Sequence, residues 1–239
     1  MKKALVTGGS GLIGSAICEA LAAEGLHVLV HANQNLDRAK QVVEKIQSTG
    51  KSAETACFDV IDRKATSHCL DNILESGPVQ VLVNNAGIYD DATMAGMSSA
   101  QWDRVIQTTL NGFFNVTHPL LLPMIRSRWG RIISISSITG VAGNRGQTNY
   151  AAAKSGLHGA SKSLSKEVAS RGITVNVVAP GIIQSPSTDE HFSDTDVKNL
   201  IPMKRRGTPQ EIADVVVFLA SKKASYISGQ ILNVNGGMC

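Results

Sequence analysis

The sequence predicts an α/β fold in which a doubly wound parallel sheet of about seven strands carries helices on both faces. Short apolar runs alternate with amphipathic stretches of helical length along the 239 residues. Hydrophobic residues make up 43% of the chain and aromatic residues 4%, so small aliphatic side chains must fill a core that covers both faces of a sheet. A glycine-rich loop separates the first apolar run from the first amphipathic stretch.

Seven apolar runs, each bounded by turn residues, predict the strands. In chain order they read KALVT, HVLVHA, TACFDV, VQVLVNN, RIISIS, ITVNVVA and QILNV. Amphipathic segments between the runs predict helices, over residues 13–24, 36–48, 62–75, 99–127, 150–170 and 209–221. Strand–helix–strand units cross over in the right-handed sense, which makes the strands parallel. We expect a single domain over residues 1–239, because no repeat or linker interrupts this pattern.

One long segment, residues 184–205, lacks clear periodicity. It is rich in serine and aspartate, and Pro186 and Pro202 lie near its ends. A loop of this length inside a compact domain is usually functional. We therefore expect it to form a short lid over a substrate.

Composition and charge exclude several classes of protein. The formal net charge is +4, from 23 basic and 19 acidic side chains, which argues against nucleic-acid binding but allows a small basic patch for an acidic partner. No apolar run approaches the length of a membrane span, and the start MKKALVTGG has too few apolar residues for a signal peptide. The four cysteines have no metal-ligand spacing, so we expect no metal and a cytoplasmic protein. They are Cys18, Cys57, Cys69 and Cys239.

The loop TGGSGLIG, residues 7–14, follows the first predicted strand and opens the first predicted helix. Glycines in this context let the backbone turn tightly and approach a pyrophosphate, while the helix N-terminus offers free N–H groups to the anion. The alternative is a tight strand–helix turn that binds nothing. The candidate dinucleotide-binding residues of this loop are Gly8, Ser10, Gly11, Leu12, Ile13 and Gly14.

The end of the second predicted strand bears on the choice of dinucleotide. An acidic residue there commonly binds the ribose of NAD, and its charge would repel the 2′-phosphate of NADP. Here the strand and its end read HVLVHANQN, and the first acidic residue after it is Asp37. Asn33 could hydrogen-bond the phosphate, although no Arg or Lys follows the strand directly. We therefore expect NADP(H) in preference to NAD(H).

Two further strand ends contain candidate cofactor residues. Asp59 ends the third predicted strand, where its carboxylate could accept a hydrogen bond from an adenine amino group, and Val60 follows it. The alternative for Asp59 is an N-cap of the helix over 62–75. The fourth predicted strand ends in NNAG, in which Gly87 lets the backbone pass close to a flat ring. We include Asn85 and Ala86 in this site, and expect the asparagines also to tie neighbouring strands together.

The richest chemistry lies in SISSITGVAGNRGQTNYAAAK, residues 134–154. Tyr150 and Lys154 are four residues apart in a predicted helix, so both face the same side. A free phenol has a pKa of about 10, and a lysine cation one turn away is expected to lower it. Ser137 ends a predicted strand thirteen residues before Tyr150, where its hydroxyl could meet a substrate carbonyl. The alternative for a tyrosine–lysine pair alone is a solvated helix face.

Together these pieces resemble the short-chain dehydrogenase/reductase family, which has a Rossmann-type fold. They span nearly the whole chain and comprise TGGSGLIG, DV at 59–60, NNAG at 84–87, Ser137, YAAAK at 150–154 and PGII at 180–183. The resemblance implies that Tyr150 protonates a carbonyl oxygen, that Ser137 orients and polarises this carbonyl, and that Lys154 holds the nicotinamide ribose. It also implies that the backbone of Ile183 and the hydroxyl of Ser185 hold the nicotinamide carboxamide, and that Pro180 and Gly181 belong to the same cofactor site.

The sequence departs from this family at one catalytic position. The family often has a fourth catalytic residue, an asparagine in a pattern like IQTNL, and the stretch VIQTTLNG places Thr109 there. Asn111 lies two residues further on, at a different face of the helix. In the family this position acts through its backbone carbonyl and a water that bridges to the lysine. We expect Thr109 to keep part of this relay.

Within the family, the chain resembles the bacterial 3-oxoacyl-[acyl-carrier-protein] reductases. The similar stretches are GNRGQTNYAAAKSGLHGASKSLSKEVASRGITVNVVAPG, RRGTPQEIADVVVFLAS and YISGQILNVNGG. The resemblance implies NADPH-dependent reduction of a 3-oxoacyl thioester, in fatty-acid or in specialised polyketide or polyene synthesis. It also implies a homotetramer that pairs the helices over 99–127 and 150–170, and an acidic carrier protein that docks on Arg128 and Arg171 beside the cleft.

Three alternatives stay open at this point. The glycine loop also fits T-G-x-x-G-x-x-G, which resembles the loop of extended enzymes such as sugar-nucleotide epimerases, although the short chain and YAAAK argue for the short form. Acetoacetyl-CoA, a sugar or a steroid are alternative substrates on the same scaffold. A nucleotide-sensing regulator without catalysis is a third hypothesis, which the presence of both Tyr150 and Lys154 disfavours.

Overall fold

Seven strands form one parallel sheet through the centre of the molecule. They are β1 (Lys3–Val6), β2 (His27–Ala32), β3 (Ala53–Cys57), β4 (Val79–Asn84), β5 (Gly130–Ile135), β6 (Ile173–Pro180) and β7 (Ile231–Val234). Their order across the sheet is β3-β2-β1-β4-β5-β6-β7, and all neighbours are parallel. This computed structural model describes the backbone of residues 1–239 and the side chains of all but Ser187, Asp189 and His191.

Helices lie on both faces of this sheet. They are α1 (Leu12–Ala23), α2 (Leu36–Ser48), α3 (Arg63–Glu75), α4 (Ser99–Ile106), α5 (Gly112–Ser127), α6 (Thr139–Ala142), α7 (Thr148–Val168), α8 (Pro186–His191), α9 (Asp194–Leu200) and α10 (Pro209–Ala220). Core residues of α1, α2 and α10 pack on one face, and those of α3, α5 and α7 pack on the other. The predicted doubly wound α/β fold is therefore confirmed.

Side chains of each strand alternate between the two faces. In β1, Ala4 and Val6 join the core on the α1 side, and Leu5 joins the core on the α3 side. Because both faces are covered, the strands read as nearly continuous apolar runs. The order of the strands reverses between β1 and β4, which places a crevice at the carboxyl ends of these two strands.

The third strand is shifted from its predicted position. It was expected at 55–60 and lies at Ala53–Cys57, so that Asp59 stands in the turn after the strand. The carboxylate of Asp59 accepts the N–H of Ile61 at 2.9 Å, and its carbonyl accepts the N–H of Asp62 at 3.0 Å. The apolar run continued into this turn because Phe58 and Val60 are buried there.

The predicted helix over 99–127 is interrupted in the structure. Its two parts are α4 and α5, and a π-helical turn over Gln107–Asn111 joins them. A hydrophobic pattern of helical period does not distinguish a π turn from an α turn over five residues. The break contains Thr109, one of the site residues that the sequence predicts.

The proposed lid segment contains helices where no periodicity was recognised. Ser185 begins α8 and Ser193 begins α9, each through a capping box with the third helical residue. These helices have six and seven residues, which is too short for an amphipathic pattern to emerge. Across the described chain, no helix combines the length and apolar character that crossing a membrane requires.

Candidate active site

The predicted catalytic side chains meet at the carboxyl edge of the sheet. Ser137 lies just beyond β5, and Tyr150 and Lys154 lie in the first half of α7. A side-chain hydrogen bond joins Tyr150 to Ser137, whose hydroxyl also accepts the backbone N–H of Thr139 at 3.1 Å. The structure therefore brings together the three residues that the sequence assigned to proton transfer.

Burial has the largest influence on the Tyr150 phenol and raises its pKa to about 12. The hydrogen bond with Ser137 lowers the pKa, whereas the nearby Asp91 and Tyr89 raise it. The expectation that Lys154 lowers the pKa of Tyr150 is thus wrong for the protein without bound ligands. Burial of the phenol has the larger effect, and the Lys154 Nζ lies 5.6 Å from the ring centroid. At neutral pH the phenol is protonated, which is the form that donates a proton.

Lys154 supplies a buried positive charge beside this phenol. Only 4% of the residue is exposed, and burial lowers its pKa to about 8. Its Nζ donates to the backbone carbonyl of Ile135 at 2.8 Å. A Cβ at Gly87 would lie 3.1 Å from this Nζ, so the glycine keeps the ammonium group accessible from the NNAG segment.

Two amide side chains that the sequence analysis missed hold the wall of the site. Asn149 is fully buried and donates to the backbone carbonyl of Asp90 at 2.9 Å. Gln147 donates to the carboxylate of Asp91 at 2.7 Å. These bonds tie the start of α7, next to Tyr150, to the loop after β4. In the sequence, only the polar run GQTN before the tyrosine could have indicated these two residues, and such a run is equally typical of a surface loop.

The glycine loop enters α1 through a left-handed turn at Gly8, where φ is +62°. A Cβ at Gly14 would lie 2.2 Å from the carbonyl oxygen of Gly8, so a side chain there would displace the backbone. Gly11 provides no side-chain cap, which leaves the first N–H groups of α1 to other acceptors. This tight cradle at an uncapped helix N-terminus fits a pyrophosphate. Ser10 and Ile13 flank it in the loop and the first helical turn.

Leu12 does not disturb this turn. It is the first residue of α1, and the non-glycine residues with a left-handed backbone are Arg128 and Lys204. The Leu12 side chain is 45% exposed. The backbone at this position therefore does not require glycine.

The NNAG segment is bonded to the glycine loop. Asn85 donates through Nδ2 to the carbonyls of Thr7 and Gly8, at 2.9 and 3.1 Å. The Thr7 hydroxyl accepts the backbone N–H groups of Asn85 and Ala86, both at 2.9 Å. The structure thus places the ends of β1 and β4 against each other, with Gly87 next to Lys154.

Asn33 and Asp59 lie at neighbouring strand ends on the far side of the glycine loop. Asn33 is exposed beyond β2, and its carbonyl accepts a hydrogen bond from the Cys57 thiol at 3.3 Å. Asp59 does not cap α3, because Asp62 fills that role by accepting the N–H groups at 64 and 65. The helix-cap alternative for Asp59 is therefore wrong. Val60 is buried against the start of α5.

The segment after β6 completes the carboxyl edge. Gly181 lies against Asn235, where a Cβ would be 2.7 Å from the Asn235 Cα, and Ile183 bridges to Gly207. Pro180 ends the strand. The Ser185 hydroxyl accepts the backbone N–H of residue 188 at 3.0 Å and so caps α8. This serine is near the predicted carboxamide position but is already engaged in a local bond.

Thr109 occupies the π turn and is buried, and its Oγ1 has no hydrogen-bond partner within the described residues. Its neighbours around a cavity of about 10 Å³ include Asn84, Ala86 and Leu157. Lys154, by contrast, points its Nζ at the carbonyl of Ile135. The structure places Thr109 near the site and shows it facing this small cavity.

Arg128 and Arg171 lie together but away from the catalytic residues. A Cβ at Gly172 would be 2.4 Å from the Arg128 carbonyl, so the two arginine segments are adjacent. They directly precede β5 and β6, at the amino edge of the sheet. Tyr150 stands at the opposite edge. The expectation that these arginines flank the cleft of their own chain is therefore wrong, because parallel strands separate the two ends.

Comparisons with known proteins agree with this geometry. A family model described as short chain dehydrogenase matches residues 2–196. The chain is 42% identical over 237 residues to the 3-oxoacyl-[acyl-carrier-protein] reductase FabG of Aggregatibacter actinomycetemcomitans, covering 98% of each chain. It is 46% identical over 240 residues to the protein of the same name from Salmonella typhimurium, covering 99% of this chain and 97% of that one. It is also 43% identical over 240 residues to nodulation protein G of Azospirillum brasilense, covering 99% and 98%.

Proposed function

The chain belongs to the short-chain dehydrogenase family, and on that premise we propose that it reduces the 3-oxo group of an acyl thioester carried on an acyl carrier protein. The observation that carries the proposal is the meeting of Ser137, Tyr150 and Lys154 beside the glycine loop. Two of the proteins that match over nearly their whole length bear the name of such a reductase. The proposal covers fatty-acid synthesis and specialised polyketide or polyene synthesis.

The residues of this chain divide the proton chemistry among them. A bound reduced nicotinamide supplies the hydride. Tyr150 donates its phenolic proton to the carbonyl oxygen, which gains electrons during reduction. Ser137 donates a hydrogen bond to the same oxygen and orients it. The Lys154 cation stabilises the phenolate that remains after the proton leaves.

We propose NADP(H) as the preferred cofactor. The end of β2 has no carboxylate that would repel a 2′-phosphate, and Asn33 is exposed there with its amide available. The cradle of Gly8, Gly11 and Gly14 would hold the pyrophosphate, and Asp59 would accept a hydrogen bond from the adenine. Gly87 and the backbone of Ile183, at the carboxyl edge of the sheet, would contact the nicotinamide.

The rim of the site favours an acyl chain over a sugar. Large apolar side chains are exposed on the loops and helices that follow the strands at this edge, namely Tyr89, Met94, Val141 and Leu200. Burying such surfaces against an alkyl chain is favourable, whereas Met94, Val141 and Leu200 offer no hydrogen-bond partners to the hydroxyl groups of a sugar. We propose that the segment 184–205, with α8 and α9, is the lid over this chain.

A substrate panel tests this function. With NADPH, acetoacetyl and longer or unsaturated 3-oxoacyl thioesters on carrier protein are expected to be reduced faster than sugar or steroid ketones, and faster than with NADH. Replacement Tyr150→Phe is expected to lower kcat/KM by about 10³ while NADPH still binds, because only the proton donor is lost.

Tyr226→Phe is the matched control, because this tyrosine is fully exposed. It should behave as the unaltered protein. Reduction of sugar or steroid ketones without any thioester activity would contradict the proposed substrate. A Tyr150→Phe protein with full activity would contradict the proposed proton donor.

A further inference from the structure

An imidazole is buried in strand β2, where its neighbours in the strand are aliphatic. His31 is 2% exposed and lies two residues before Asn33. Its ring is 4.1 Å from the ring of Phe58, measured between centroids, at a tilt of 45°. A buried polar ring must find hydrogen-bond partners to be tolerated in a core. The position of these partners suggests what the residue does.

Both ring nitrogens of His31 are bonded to backbone. Nδ1 accepts the N–H of Gly8 at 3.0 Å, so Nδ1 carries no proton. The proton of the neutral ring is then on Nε2, which donates to the carbonyl of Phe58 at 2.9 Å. The backbone partners thereby fix one tautomer of a neutral ring. Burial, the largest influence, lowers the pKa of His31 to about 4, which keeps the ring neutral as the Nδ1 acceptor role requires.

These two bonds join three segments of the proposed cofactor site. Gly8 makes the left-handed turn of the glycine loop, and Phe58 directly precedes Asp59. His31 itself belongs to the strand that leads to Asn33. On the opposite flank, the Asn85 amide donates to the carbonyl of Gly8 at 3.1 Å. Gly8 is thus held from both sides, through its N–H by His31 and through its carbonyl by Asn85.

We propose that His31 is a positioning residue for the dinucleotide, which sets the glycine loop and the end of β3 at the spacing needed by the pyrophosphate and the adenosine. The inference rests on the proposed cofactor. It assigns His31 no contact with the reacting atoms. Its loss is therefore expected to weaken cofactor binding and to leave the chemical step intact.

The test compares three variants for NADPH binding, followed by nucleotide fluorescence, and for steady-state kinetics. His31→Phe keeps a ring of similar size without nitrogens, and is expected to raise the Kd and KM for NADPH about tenfold with kcat within about twofold. His31→Asn places an amide oxygen near the position of Nδ1 and is expected to restore most of the affinity. His27→Phe is the control, because His27 lies at the amino end of the same strand and contacts Ser52 and Glu54.

Thermal unfolding without nucleotide confirms that each variant is folded before its Kd is compared. An unchanged Kd in His31→Phe would overturn the inference, as would equal weakening in His27→Phe or no recovery in His31→Asn. A fall in kcat at unchanged KM would also overturn it. Failure of the unaltered protein to bind NADPH would overturn the proposed cofactor itself, together with this inference.

Discussion

Among the proposed catalytic residues, Lys154 is the one whose charge changes within the working pH range. Burial lowers its pKa to about 8, whereas the Tyr150 phenol, with a pKa of about 12, stays protonated there. As pH rises through about 8, the lysine cation that stabilises the developing phenolate is lost. We therefore expect kcat/KM for ketone reduction, which reports the free enzyme, to be level below pH 7 and to fall above pH 8.

A pH series of kcat/KM on one thioester checks this expectation. In Lys154→Met the fall should disappear, with a low rate throughout. A profile of the unaltered protein that stays level to pH 10 would show that the lysine charge does not contribute to reduction.

Leu12 tests how much the glycine loop depends on each of its residues. Because its backbone is ordinary and its side chain is 45% exposed, we expect Leu12→Gly to leave the Kd for NADPH within about twofold. Unfolding should become easier by about 1 kcal/mol, since glycine is a poorer helix former at the start of α1. A large gain in affinity would show instead that Leu12 obstructs the pyrophosphate.

Residue type and spacing predicted the groups that we propose to act on the substrate, because Tyr150 and Lys154 are neighbours on one helix turn and Ser137 lies just beyond the preceding strand. The same reasoning missed His31 and Asn149. Their partners lie far along the chain or in irregular backbone, and neither residue type nor local period contains that information. His31 reads as one more member of an apolar strand.

At the scale of elements, the turn from β1 into α1 depends on the absence of one Cβ. In Gly14→Ala the new Cβ would lie 2.2 Å from the Gly8 carbonyl oxygen, which forces a backbone shift. We expect a loss of about 1–3 kcal/mol in the free energy of unfolding and a clearly weaker Kd for NADPH. Thermal unfolding and nucleotide fluorescence measure the two effects.

Gly96→Ala is a suitable control for stability, since a Cβ there would meet its nearest neighbour at 3.5 Å. It should unfold like the unaltered protein. Equal stability of Gly14→Ala would mean that the loop adapts without cost.

The strands were predicted well because both of their faces are buried, which gives short continuous apolar runs, and the long helices because each buries one face with a helical period. The errors fall where that period is absent or misleading. Burial of Phe58 and Val60 extended the apparent third strand into a turn. Helices α8 and α9 are too short to show a pattern, and their start signals, Ser185 and Ser193, resemble ordinary loop residues.

At the scale of the whole molecule, the two edges of the sheet separate proposed chemistry from proposed docking. Tyr150 lies at the carboxyl edge, and Arg128 and Arg171 lie at the amino edge. A carrier protein held by these arginines is therefore expected to deliver its substrate to the site of another subunit, which the tetramer implied by the family resemblance would supply. Arg128→Ala with Arg171→Ala should lower turnover of a carrier-bound ketone about tenfold, and that of a small soluble ketone far less.

Mixed oligomers sharpen this prediction. Co-assembly of Tyr150→Phe chains with the double-arginine variant should recover carrier-dependent turnover, because arginines of one copy would serve the intact site of another. Turnover of the small ketone should be proportional to the fraction of chains in the mixed oligomer that retain Tyr150, whichever chains retain the arginines. Equal losses on both substrates in the double variant would contradict docking, and mixed oligomers without recovery would contradict delivery between subunits.

The π turn between α4 and α5 determines which insertions and deletions this part of the chain can accept. Its wider turn accommodates one residue more than an α-helix needs, so the chain contains a residue that the helical hydrogen bonds do not require. A five-residue π turn and a four-residue α turn cover nearly the same rotation, so deleting one codon here would restore a regular helix and leave the buried faces of α4 and α5 aligned. Val105 and Val116, both fully buried, would then keep their places in the core. Loss of one residue is therefore tolerable in this stretch, whereas an insertion would turn one of these valines out of the core.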